Sequence, residues 1–155
     1  MNEAERLALA LQHAGTLSVR RLHRLIDSGQ TGLSEQLTAR PGLDAGMVVV
    51  HKAVVELLAR AKQLSMPVSL ETAETSQGQE DYMSLIFPRL YTLVVQMDFL
   101  RRVLAHELLV ASAALDKRAD GVGTAKRALH AAIRARVPAY TRDRSPRPEA
   151  DIIYH

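Results

Sequence analysis

Residues 81–118 read DYMSLIFPRLYTLVVQMDFLRRVLAHELLVASAALDKR. Alternating steps of four and three connect Met83, Phe87, Leu90, Val94, Met97, Arg101, Leu104, Leu108, Ala111 and Leu115, an apolar stripe with one polar interruption. That spacing predicts one long helix over about 81–118. A second line, Ile86, Leu93, Leu100 and Val103, widens the apolar surface. A helix apolar on several sides belongs in the middle of a bundle or in an oligomer interface.

Upstream, Met47, Val50, Val54, Leu57, Ala61 and Leu64 repeat the pattern and predict a second long helix over about 44–65. Two such heptad-like helices are expected to pack at a shallow angle. At the N-terminus, Ala4, Leu7, Ala8, Leu11 and Ala14 share one helical face over residues 2–14. Gly15 reads as its end and Ser18 as the cap of a second helix, Val19 to Asp27, giving a short helical pair. Pro67 closes the 44–65 helix, and VSLETAETSQGQ at 68–79 is polar and aperiodic, hence a loop. Glu71, Glu74, Glu80 and Asp81 concentrate negative charge there. Pro88 bends the central helix or marks its true start. Asp120-Gly121-Val122-Gly123 is a stop, and Thr124 caps a last helix running to Val137. The expected architecture is all-α: one helical domain over 1–137, then an extended basic C-terminal arm over 138–155.

The 155 residues suffice for one core. Cysteine is absent, which excludes disulfides, thiolate catalysis and cysteine-ligated zinc. The uncharged run Leu90–Met97 is far shorter than the ~20 residues that span a bilayer. The N-terminus carries Glu3 and Glu5 where a secretion signal places cations, so a cytoplasmic protein away from membranes is expected. Net charge is +3, but unevenly placed. Lys126, Arg127, Arg134, Arg136, Arg142, Arg144 and Arg147 face a single acid, Asp143, in that stretch. Such clustering is the electrostatic footprint of an anionic partner. Abundant Ala, Leu and Arg equally fits the surface of a protein from a GC-rich bacterial genome.

Three stretches carry candidate chemistry. In RRVLAH, Arg101 is followed after four residues by His106. This resembles the R-x4-H signature of the HEPN superfamily of all-α ribonucleases. The resemblance implies RNA cleavage, with the histidine exchanging protons and the guanidinium holding the phosphate. The alternative is a surface ladder of Asp98, Arg102 and His106 with Arg101 at the bundle edge. Residues 7–26 have roughly a helix-turn-helix layout whose basic face carries Arg20, Arg21 and Arg24. At the C-terminus, Lys126, Arg127, Arg134, Arg136, Arg142 and Arg144 are placed to track a phosphate backbone. The six histidines, at 13, 23, 51, 106, 130 and 155, show no metal-ligand spacing, so neither metal nor cofactor is predicted.

The reading that follows is a non-enzymatic helical subunit of an oligomer or larger complex. Its basic C-terminal helix and arm contact nucleic acid or an acidic protein partner. A transcriptional regulator, a protein scaffold and a HEPN-like ribonuclease stand as alternatives.

Overall fold

The computed structural model describes residues 3–68, 74–80, 85–118 and 123–155. The chain is all-α. Its helices are α1 (Glu3–Ile26), α2 (Ser28–Thr31), α3 (Val48–Gln63), α4 (Ile86–Asp116), α5 (Thr124–Arg134) and α6 (Arg147–Tyr154). Single 3₁₀ turns lie at Glu35–Leu37 and Ser76–Gly78, the second closed by a bridge between Thr75 and Glu80. Glu71, Asp81, Met83 and the Asp120–Val122 stop lie outside the described residues. Among the described residues no helix is long and apolar enough to cross a membrane.

α4 is the hub, packing against α1, α3, α5 and α6. Pro88 falls in its first turn, where a missing N–H costs no helical hydrogen bond, and so marks the start of the helix. The main core joins Val19, Leu22 and Ile26 of α1, Val50 and Val54 of α3, and Val103, Val110 and Ala113 of α4. Leu37 and Met47 close it from the α2–α3 connection. Burying each of these larger side chains stabilises the fold by roughly 1.5–3 kcal/mol.

The expected core stripe of α4 is not the one that is buried. Phe87 is 79% exposed and Val94 67%, and Leu90, Met97 and Leu104 are also exposed. The side chains facing α1 and α3 step from Arg89 through Leu93, Gln96 and Leu100 to Val103, then Val110 and Ala114. This second line has the same period but is rotated around the helix. Leu93, Leu100 and Val103 belong to the second apolar line read from the sequence, but Arg89 and Gln96, its two long polar members, keep it from counting as the main stripe.

The predicted N-terminal pair is a single 24-residue helix. Gly15 does not break it, because the glycine serves packing. A Cβ there would sit 2.4 Å from Leu100 Cδ2 and 3.1 Å from Leu58 Cδ1. Removing the side chain lets α1 approach both partners, which outweighs glycine's cost of about 1 kcal/mol in a helix.

The tail is not extended throughout. Val137 and Ala150 are buried with Leu109 and Ile133 in a second apolar cluster, against which Ile152 and Ile153 pack. Asp143 accepts hydrogen bonds from the backbone N–H groups of Ala45 (2.7 Å) and Gly46 (2.9 Å), tying the tail to the turn before α3. Arg144 donates to Glu149 at 2.5 Å and to the carbonyls of Pro138 and Ala139. Pro146 and Pro148 sit at the start of α6, where proline is tolerated. Prolines that signalled an arm at sequence level instead begin a docked helix.

Candidate functional site

Asp98, Arg102 and His106 lie on one face of α4 because they are four residues apart. Arg102 Nε donates to Asp98 at 2.9 Å, and its Nη1 reaches Asp151 of α6 at 3.4 Å. Its guanidinium also lies 4.5 Å from the centre of the Tyr154 ring, whose hydroxyl donates to Asp98. One turn further, the buried His106 places Nδ1 2.7 Å from the Arg102 carbonyl oxygen. A carbonyl only accepts, so Nδ1 carries the proton and Nε2 is left as the acceptor in the neutral ring.

Burial pushes the His106 imidazole below its ordinary value, partly opposed by that hydrogen bond and by the Asp151 charge. The ring is therefore neutral at pH 7. A groove of about 440 Å³ opens here. Phe99, Arg102 and His106 line it from α4, Glu56 and Arg60 from α3, and Ser145, Arg147 and Asp151 from the tail. Arg60 is itself paired to Glu56 at 2.6 Å. Fixed charges of both signs beside a neutral imidazole suit a small polar molecule and the exchange of a proton. Among the described residues no group of three or more His, Asp or Glu side chains is arranged to hold a metal ion.

The His106 environment predicts a pH dependence. A histidine whose folded pKa is depressed binds fewer protons than the unfolded chain, so its stabilising effect is complete above the unfolded value near 6.5 and declines as pH falls through it. His51, lowered by burial and then by the charge of His23 stacked at 4.8 Å, adds in the same direction. The lowered carboxylates Glu35, Asp44 and Asp98 act only at more acidic pH. The urea midpoint is expected to fall between pH 7 and pH 5.5, and less so in His106→Gln. An equal fall in that variant would assign the effect elsewhere.

The R-x4-H pair does not converge. Five residues along a helix is a turn of roughly 140° past one full circle, and Arg101 is exposed, its guanidinium 5.0 Å from the Tyr154 ring centre. Arg101 does not line the groove. The arginine beside His106 is Arg102, held by Asp98, as in the ladder alternative, but His106 is buried and not part of a surface ladder.

The other predicted residues divide into two groups. Arg21 donates to Glu107 of α4 at 2.5 and 2.8 Å, and Ser18 reaches the same carboxylate. Arg134 grips Asp116 at 3.0 and 2.8 Å. Arg144 pairs with Glu149 and lies 4.7 Å from the centre of the Tyr140 ring. These three arginines are joints of the fold. Arg20, Arg24, Lys126, Arg127, Arg136 and Arg142 are exposed and scattered over α1, α5 and the tail.

Sequence reasoning missed a buried polar cluster where α4 meets α1. Arg89 is fully buried, and its Nη1 donates to the carbonyls of Leu64 (2.6 Å) and Met66 (3.4 Å) at the end of α3. Its Nη2 lies 3.5 Å from Gln96 Oε1, and Gln96 Nε2 donates to the Ala8 carbonyl at 2.9 Å. Burial lowers the Arg89 pKa, while the charge of buried Glu5 of α1 raises it. The available signal was the seven-residue spacing of Arg89, Gln96 and Val103 inside an otherwise apolar helix.

This helical arrangement is that of amino-acid lyases and aminomutases. It superposes on histidine ammonia-lyase from Trypanosoma cruzi with a TM-score of 0.92 at 24% identity, covering 97% of this chain and 30% of that one. Phenylalanine aminomutase from Pantoea agglomerans gives 0.91 at 27% identity, again over 97% of this chain and 30% of that one. The family model for aromatic amino acid lyases matches residues 1–135, and the chain belongs to that family. It is 34% identical to histidine ammonia-lyase of Rhodospirillum rubrum over 154 residues, 98% of this chain and 30% of that protein. It is also 34% identical to a probable histidine ammonia-lyase of Thermoplasma acidophilum over 143 residues, 92% of this chain and 29% of the relative. The chain thus spans about 30% of the length of the curated relatives it matches.

Membership overturns the reading of a non-enzymatic module that binds nucleic acid or an acidic partner. It overturns the regulator, scaffold and ribonuclease alternatives as well. The clustering of basic residues late in the chain misled because Arg134 and Arg144 neutralise carboxylates of their own fold. The helix-turn-helix reading fails on the continuity of α1.

Proposed function

We propose that this chain forms part of an ammonia-lyase whose substrate is histidine or a closely similar aromatic amino acid. The carrying observation is the 34% identity to two histidine ammonia-lyases across 92% and 98% of the chain. Because the chain corresponds to about 30% of those proteins, the activity belongs to the complete fold and not to these helices alone. In this reading the chain's contribution is the rigid helical frame around α4, with the polar groove at His106 as its main chemically equipped surface. The same reading places the protein in the cytoplasm. A second reading, amine migration, is favoured by the likeness to phenylalanine aminomutase at 27% identity.

A segment exchange tests both. The matching part of the Rhodospirillum rubrum enzyme is replaced with this chain, and the folded chimaera is supplied with L-histidine, L-phenylalanine or L-tyrosine. Ammonia release from histidine supports the proposal. Release from another aromatic amino acid alone would move the substrate, and a β-amino acid product without ammonia would favour migration. A folded chimaera inert toward all three would overturn the lyase reading.

A further inference from the structure

A second cavity lies where α4 ends and α5 begins, at the opposite end of α4 from the polar cluster of Arg89. It holds about 260 Å³, slightly below the ~300–1,000 Å³ usual for drug-sized ligands. Its floor is Leu108, Ala111 and Leu115 of α4, and its walls are Leu25 and Leu33 on one side and Leu129 and Ile133 on the other. Arg118 and Lys126 form its charged edge. Both are exposed, and neither takes part in an ion pair among the described residues. Asp116, at the end of α4, is engaged by His130 Nε2 at 2.7 Å and by Arg134 at 2.8 Å.

An independent feature points to the same ligand. α5 starts at Gly123 with no side-chain cap, no acidic residue in its first turn, and Lys126 and Arg127 there instead. A helix N-terminus carries partial positive charge and is stabilised by anions, so cations in the first turn oppose the dipole. That arrangement is unfavourable by itself and becomes favourable when an anion sits between the two positive features. The apolar walls then set the rest of the molecule.

We propose that this cavity binds a monocarboxylate with a single aromatic ring or a medium-length alkyl chain. The body fills the apolar space against Leu108, Ala111 and Leu129, and the carboxylate meets Arg118 and Lys126. Nothing in this assignment depends on the lyase reading, because it uses neither the groove at His106 nor any reaction.

The test is a ¹H–¹⁵N NMR titration of the full 155-residue chain with 3-phenylpropanoate and with octanoate. The neutral 3-phenylpropan-1-ol and the bodiless anion acetate serve as controls. Saturable shifts confined to residues 25–33, 108–118 and 124–133 are expected with the two acids. Affinity is expected to fall about ten-fold or more for the alcohol and for the Arg118→Gln/Lys126→Gln variant, since charge-assisted contacts are lost. Both substituted positions are exposed, so the fold is not at stake, and the alcohol arm needs no variant. Alcohol binding as tight as acid binding would overturn the proposal. So would shifts centred on the exposed Phe87–Leu104 face, which would mark unspecific adsorption, and so would no saturable response.

Discussion

Replacing Arg89 with alanine is expected to cost about 3–5 kcal/mol of stability, the range for breaking a buried charged network by removing one partner. The side chain is fully buried, and it binds the carbonyls of Leu64 and Met66 and faces Gln96. Those carbonyls end α3, where the last turn has no helical donors of its own. Removing the guanidinium deprives both carbonyls of their donor and Glu5 of a nearby positive charge. Arg89→Lys keeps the charge but not the planar fork, so an intermediate loss is expected. Urea unfolding followed by circular dichroism reads both. A loss below about 1 kcal/mol in Arg89→Ala, comparable to an ordinary surface substitution, would show that water or neighbouring groups serve these carbonyls equally well.

The second large effect separates the two apolar lines of α4. Leu100 is 6% exposed and packs into the gap left by Gly15. Leu100→Ala is expected to cost about 2–5 kcal/mol through lost burial and the cavity it leaves. Phe87→Ala and Val94→Ala, on the exposed line, are expected to change stability by no more than about 0.5 kcal/mol. The same denaturation series decides it. Comparable losses at Phe87 and Leu100 would mean that the exposed stripe is covered in solution and that the burial pattern of the single chain is not the whole account.

Why the stripes were exchanged is a matter of what periodicity can and cannot carry. A three-four repeat establishes that a segment is helical; it was read over about 81–118, of which Ile86–Asp116 is helix. Rotation about the helix axis is a separate quantity, read only from the contrast between apolar and polar faces. Here that contrast is inverted in the first half of α4. Arg89 and Gln96 are inside, donating to the carbonyls of Leu64 and Ala8, while Phe87, Leu90 and Val94 are outside. Hydrogen-bond partners from distant helices make the burial of Arg89 affordable, and no local count contains them. Gly15 is a parallel case. In sequence a glycine after a helical run reads as a terminus, but here it is a contact point 2.4 Å short of room for a methyl group.

The sequence by itself determined the all-α class and the long central helix, and left open whether Pro88 bends that helix or starts it. It also isolated the Asp98–Arg102–His106 ladder as the alternative to an Arg101–His106 pair. These are local properties, set by spacing within one helix. Tertiary structure alone decided which face of α4 is core, that the N-terminal pair is one helix, and that the basic tail folds back as α6 onto α4. It decided also that Arg21, Arg134 and Arg144 are internal joints. Several of these depend on a partner tens of residues away, as Arg21 depends on Glu107 and Asp143 on the backbone of Ala45 and Gly46. Charge in a sequence has a sign and a position but no partner until the chain has folded.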